Sequence, residues 1–132
     1  MVSSIGIAVS GLQSAQTQLQ TNANNIANVN TTGSLEQGGQ EPFTPQETVS
    51  EAVPGGGVRT TIVPRDPAFV PSFAPDSPFA DENGIIGAPN VSLNEELIGS
   101  LQAEQAFEAS ATVISGLNDL NDTLLDIFDD DA

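Results

Sequence analysis

The sequence contains no cysteine, histidine, tryptophan, tyrosine or lysine. Each absence removes a class of chemistry. Without cysteine there is no disulfide and no thiolate nucleophile or ligand, and the redox compartment is unmarked. Without histidine and lysine, the commonest general bases and the Schiff-base amine are missing. Only Arg59 and Arg65 are basic, against 18 acidic residues, for a net charge of −16. Phosphate recognition needs clustered cations, so nucleic acid is excluded as a partner, and an anionic membrane surface repels such a chain. No apolar run approaches the roughly 18 residues of a membrane span, so direct membrane insertion is not expected. Met1 to Gly6 offer neither a basic leader nor a continuous apolar core, so no cleaved secretory signal is expected.

The remaining residues do not assemble an enzyme. Carboxylates are plentiful, but paired-carboxylate catalysis needs a cleft that shifts one of them, and nothing in the pattern supplies one. Gly55-Gly56-Gly57 could suggest a phosphate cradle, yet no lysine follows it and it reads as a flexible hinge. Asp119, Asp122 and Asp126 share a helix face and lead into Asp129, Asp130 and Asp131. No glycine-bearing calcium loop accompanies them, so a solvated acidic face, frayed at its end, is expected rather than a metal site. No enzyme activity, cofactor, metal or small-molecule substrate is expected.

The apolar residues gather at the two ends. Over residues 3–30, Ile5, Leu12, Leu19 and Ile26 recur every seventh position, with Val9, Ala8, Ala15 and Ala23 at offsets of three and four. This is a helix with an apolar stripe at coiled-coil spacing. Its opposite face is amide-rich (Gln13, Gln16, Gln18, Gln20, Asn24, Asn28) and uncharged. Such a face suits either an ordinary surface helix or one covered in an assembly. The run Asn24 to Gly33, with Asn25 and Asn28 inside it, ends the helix through local side-chain bonds, and Gly33 is a plausible terminator.

All 9 prolines lie between residues 34 and 90. Residues 34–57 read as irregular. Val58 to Val63 is the best strand candidate and Ala68 to Val70 a second, both flanked by proline and so suited to edges. Asn83-Gly84 reads as a tight hairpin turn with positive φ. Residues 91–128 read as a second helix, capped by Ser92 or Asn94, with Glu95 and Glu96 complementing the dipole of its first turn. Leu97, Leu101, Phe107, Ile114, Leu117, Leu120, Leu124 and Phe128 lie near one face. A helix of about 35 residues is roughly 50 Å long, more than one small domain needs.

The division expected is 1–33 helix and turn, 34–90 loop-rich insertion with a short β hairpin, and 91–132 helix and acidic tail. The fold class expected is mainly α, with the terminal helices paired as a coiled-coil-like hairpin and a partly β, Gly/Pro-rich middle. An intramolecular hairpin alone makes a thin core, so burial between subunits is expected to complete it. The assembly residues expected are Ile5, Val9, Leu12, Leu19, Asn25, Ile26 and Asn28 on the first segment, and Leu97, Leu101, Phe107, Ile114, Leu117, Leu120 and Leu124 on the second. The first row is expected to lie against Leu117, Leu120 and Leu124.

Ser10-Gly11-Leu12 followed by Asn24-Asn25-Ile26-Ala27-Asn28-Val29-Asn30-Thr31-Thr32-Gly33 resembles the N-terminal motif of the flagellar basal-body rod proteins. Gly57-Val58-Arg59, Asp76 to Gly84, Pro89-Asn90-Val91, Glu95-Glu96-Leu97 and Ala103-x-Gln105-x-Phe107-x-Ala109-Ser110 resemble the proximal-rod members in order and spacing. The resemblance covers residues 3–33 and 57–128. It implies a helical tube with the paired termini in its core, partners that are copies of the chain and other rod or axial proteins, and an export apparatus that passes the subunit uncleaved to a periplasmic basal body. Departures stand at Gln105, Phe107, Ile85, Asp122 and Asp126, where the family pattern has Arg, Tyr, an aromatic and basic residues. A stand-alone extracellular filament built from such a subunit is the alternative, and a monomeric binding module a third.

So large a charge of one sign opposes assembly where screening is weak. Either the acidic excess serves solubility, or the protein works in high salt or against a basic partner. On the high-salt reading, sedimentable assembly of the pure protein should increase as ionic strength rises from millimolar to molar. Assembly indifferent to salt over that range would contradict it.

Overall fold

A computed structural model describes residues 4–130, with side chains through Ile127; Ser3, Phe128 and the acidic side chains after it lie outside the described residues. The chain runs α1 (Ser4–Ala27), β1 (Gln46–Ala52), β2 (Val58–Pro64), β3 (Phe69–Phe73), β4 (Ile85–Pro89) and α2 (Leu93–Asp130). β1 pairs antiparallel with β2, and β3 with β4, as two separate hairpins. The expectation of a mainly α chain is therefore corrected. Two terminal helices enclose an ordered β region of four strands, an α+β arrangement.

The helices lie antiparallel. A Cβ on Gly11 would sit 2.9 Å from the Ser110 hydroxyl, and one on Gly99 would sit 2.8 Å from the Asn22 amide. The seam between them runs along α1 at Ala8, Gly11, Ala15, Asn22 and Asn25, and along α2 at Glu96, Gly99, Ala103 and Ser110. Ala15, Asn25, Glu96 and Ala103 are all but inaccessible. The spacing of three and four is that of a coiled coil, but the knobs are small. Ile5, Leu12, Leu19 and Ile26 flank this seam and are half-buried. The register also places Leu120 and Leu124 beyond the start of α1, away from Leu19 and Ile26, so that pairing does not form within one chain.

A second face of α1 carries the β1–β2 hairpin. The Val58 amide donates to Ser10 Oγ at 3.0 Å and Thr60 Oγ1 donates to Ser14 Oγ at 2.6 Å. At the far end, Asn25 treats Gln46 as a neighbouring strand would. Its Oδ1 accepts from the Gln46 amide at 2.9 Å and its Nδ2 donates to the Gln46 carbonyl at 2.7 Å. This docking makes a strand of a segment whose composition reads as loop. β1 (Gln46-Glu47-Thr48-Val49-Ser50-Glu51-Ala52) is polar on both faces, and its partners rather than its propensity hold it extended.

The turn between β1 and β2 is no free hinge. Gly55, Gly56 and Gly57 all have positive φ, between 92° and 109°, a conformation that only glycine adopts without strain. Gly56 and Gly57 are also pressed on α1, where an added Cβ would meet Ile7 at 2.8 Å and Ser10 at 2.6 Å.

α1 ends as the Asn run implies. Asn28 Nδ2 donates to the Asn24 carbonyl at 2.9 Å, and its Oδ1 accepts from Thr31 Oγ1 at 3.2 Å. Gly33 lies past that end, with a role other than helix termination. It exchanges two backbone hydrogen bonds with Gly87, at 3.0 and 2.8 Å, tying the post-helix segment to β4. The connection between β3 and β4 spans residues 74–84, longer than a two-residue turn, and only Gly84 has positive φ. Asp81 organises it, accepting from the Asn83 and Ile85 amides, each at 2.8 Å. The Ile85 hydrogen bond is the main cause holding the Asp81 carboxyl below its usual value; partial desolvation opposes it and the Asn83 bond adds to it.

α2 starts at a Ser92 cap, with the Glu96 amide donating to the Ser92 carbonyl at 3.0 Å and the Glu95 amide to Ser92 Oγ at 3.5 Å.

Two glycine substitutions separate close packing from helix propensity. A Cβ on Gly33 would fall 2.4 Å from the Gln40 carbonyl oxygen, while one on Gly116 meets nothing within 4 Å. Gly33→Ala should lower stability by about 1–3 kcal/mol or more, the cost of forcing an added carbon against neighbouring backbone. Gly116→Ala should raise it by up to about 1 kcal/mol. Denaturant melts of both variants check this, and the reverse order would contradict it.

Candidate assembly interface

Glu96 is the only side chain of an ion pair placed wholly out of water among the described residues. Its Oε1 accepts from Arg65 Nη2 at 2.7 Å and its Oε2 from Asn25 Nδ2 at 3.1 Å. Asn22, with its amide turned to satisfy both neighbours, adds a donor to Oε2 at 3.2 Å. Arg65 Nη1 donates to the Asn90 carbonyl at 2.8 Å. One carboxylate thus joins α1, the segment after β2, the approach to α2, and, through Asn25, the first residue of β1. The sequence placed Glu96 as a dipole partner and within the Glu95-Glu96-Leu97 run of the family resemblance, gave it no buried partner, and did not single out Arg65. The one signal available was that a chain with two cations and many acids has few ways to neutralise a buried charge.

With the polar interior fixed, the large apolar side chains are left outside. Leu97 and Leu101 are 48% and 60% exposed on the outer face of α2, and Val9 lies 37% exposed on α1. Phe107, Ile114 and Leu117 are half-buried. Leu120 and Leu124, 55% and 45% exposed, continue the α2 seam past the start of α1. Asn25 is buried in the Glu96 cluster, and the half-buried Asn28 holds the helix-ending turn. The expected interface residues therefore divide: the amides build the subunit, and the apolar ones line its surface.

At the start of α1 an open groove of about 560 Å3 runs between Ile7, Ala8 and Gly11, the β1–β2 turn at Gly57 and Val58, and Ala109 and Val113 of α2. Its lining is almost entirely apolar. Among the described residues no three His, Cys, Asp or Glu side chains cluster to hold a metal ion, and no helix is long and apolar enough to cross a membrane.

Residues 5–33 match the family described as flagella basal body rod protein, and residues 82–127 match the flagellar basal body rod FlgEFG protein C-terminal family. The flagellar basal-body rod protein FlgC of Agrobacterium fabrum is 32% identical over 128 residues, covering 92% of this chain and 90% of its own. That of Yersinia enterocolitica is 31% identical over 117 residues, covering 83% and 84%. That of Borreliella burgdorferi is 28% identical over 137 residues, covering 87% and 89%. The chain belongs to the flagellar basal-body rod family. Within that family it stands close to FlgC, as a structural subunit of the proximal-rod type. The two matched regions contain nearly all of α1 with its Asn-rich turn, and β4 with most of α2, so they include Asn22, Asn25 and Glu96 of the buried cluster, while Arg65 lies between them.

Removing that carboxylate tests how far the subunit depends on it. Glu96→Ala leaves the Arg65 guanidinium without its counter-charge, while Asn25 keeps Gln46 and Arg65 keeps the Asn90 carbonyl. It should cost about 3–5 kcal/mol, the range for breaking one side of a buried pair. Thermal or urea unfolding measures this, with exposed Glu104→Ala as the control; equal losses in the two variants would contradict the assignment.

Proposed function

We propose that this protein polymerises with copies of itself and with other rod or axial proteins into a helical tube that carries torque across the cell envelope. The observation that carries the proposal is the exposed apolar surface of the two helices, together with the length of α2. At 1.5 Å per residue, the 24 residues of α1 span about 36 Å and the 38 of α2 about 57 Å. The last third of α2 therefore has no helix of its own chain beside it, yet carries Leu120, Leu124, Leu125 and Ile127. A soluble monomer rarely exposes so continuous an apolar stripe.

The subunit is built for transmission rather than chemistry. A buried ion pair and close-packed small residues hold the helices in one register, and a rigid subunit passes load to its neighbours. Passage through an export apparatus without a cleaved signal, and residence in a periplasmic basal body, belong to the same reading. The stand-alone filament has no support among the relatives compared, which carry the FlgC name.

A charge on the outer face should separate folding from assembly. Leu101→Asp should keep the helical circular dichroism and melting point of the parent. Burial of one leucine contributes about 1.5–3 kcal/mol, so the concentration needed for assembly should rise about ten- to a hundredfold. Sedimentation and electron microscopy read the outcome. Unchanged assembly by this variant, or a parent protein that stays monomeric at all concentrations, would count against the proposal.

A further inference from the structure

The α2 seam changes character along its length. Where α1 lies opposite, it is built of Gly99, Ala103 and Ser110; past the start of α1 it continues in the same three-and-four rhythm as Leu117, Leu120, Leu124 and Ile127. Small knobs let two backbones approach, whereas large ones need a hole of their own. Leu120, Leu124 and Ile127 remain about half exposed, so that hole is not in the same chain.

A matching hole lies at the same end of the helix pair, where α1 starts beside Ala109, Ser110 and Val113 of α2. The groove at the start of α1 is wide because Ala8, Gly11, Gly57 and Ala109 are small. From Ser4 to Gly11 it follows seven residue steps of helix, about 10 Å. Leu120 to Ile127 spans the same seven steps and the same length.

We infer that the overhanging end of α2 from a second copy occupies this groove. Charge supports that occupant. Asp119, Asp122 and Asp126 accompany the overhang, whereas no acidic side chain lines the groove among the described residues. The first turn of α1, which borders it, carries no acid to offset the positive end of its dipole. Arg59 and Glu51, cross-strand neighbours on the hairpin, both lie outside the lining and balance each other in sign. In a chain of net charge −16, an apolar groove with no acid in its described lining spares an acidic helix like-charge repulsion from that lining.

The contact joins two different surfaces of one chain. Two copies that exchange overhangs reciprocally close as a two-fold dimer, whereas a one-way, heterologous contact propagates into a ring or an open helix; a tube requires the one-way form. The inference rests on the proposed self-assembly and names the surfaces that perform it.

The cysteine-free sequence makes the test direct. Ala109→Cys in the groove and Leu124→Cys on the overhang are prepared as separate full-length variants, mixed under assembling conditions and oxidised. Links between positions 109 and 124 of different copies should exceed either self-link by about tenfold, the proximity effect of a docked pair. Groove-filling Ala109→Phe should abolish assembly with unchanged helical circular dichroism. If assemblies form but only 124-to-124 links appear, or the Ala109→Phe variant assembles normally, the groove is not the site and the inference falls while self-assembly stands. If no assembly forms at any concentration or salt, both fall together.

Discussion

The Glu96 carboxylate is the constraint on which the rest of the subunit depends. A charge taken out of water costs several kcal/mol unless paired and hydrogen-bonded on every side. Here the required donors come from parts of the chain far apart in sequence: Asn25 and Asn22 of α1, and Arg65 beyond β2. Satisfying one group therefore fixes the lengthwise register of α1 against α2. The same Asn25 amide seizes the backbone of Gln46, so the start of β1 is set by the same point. In a chain with little apolar interior, a polar cluster supplies the uniqueness that a large core would otherwise give.

That register has a steric counterpart. Bringing Asn25 to Glu96 draws the helices together along their whole overlap, and only small side chains tolerate the approach. Ala8, Ala15 and Ala103 are buried for this reason, and Gly11 and Gly99 have side chains of the other helix where a Cβ would lie. The large aliphatic residues are displaced to the flanks and to the overhang. The result inverts a self-sufficient bundle, with small and polar residues inside and leucines outside. A subunit of this construction folds through its polar contacts and leaves its hydrophobic driving force for association with neighbours.

Much of this was legible, and the failures have physical causes. The row Ile5, Leu12, Leu19, Ile26 correctly marks a helix, because period alone reports an amphipathic face. It does not report which of two adjacent rows makes the closest approach. The Ala8, Gly11, Ala15 row, one step round the helix, carries less hydrophobicity and yet forms the seam. β1 was hidden because its strand state comes from hydrogen bonds to β2 and Asn25, and Gln-Glu-Thr-Val-Ser-Glu-Ala has little strand preference of its own. Gly33 and the Gly55 to Gly57 run stood out as punctuation. Their actual work, a close backbone crossing with Gly87 and a turn pressed on Ile7 and Ser10, depends on what lies beside them.

The sequence by itself determined the two terminal helices, the Asn-rich end of the first, the lack of cysteine, histidine and lysine, and the family resemblance. These rest on local periodicity, local hydrogen bonding and composition, which need no knowledge of distant neighbours. The tertiary structure alone decided that the middle is two ordered hairpins, that Glu96 and Arg65 form a buried pair, and that the leucines of the overhang face outward. Each is a meeting of residues far apart in the chain. Whether a polar or apolar group ends buried follows from the partner it meets, and linear order does not specify that partner.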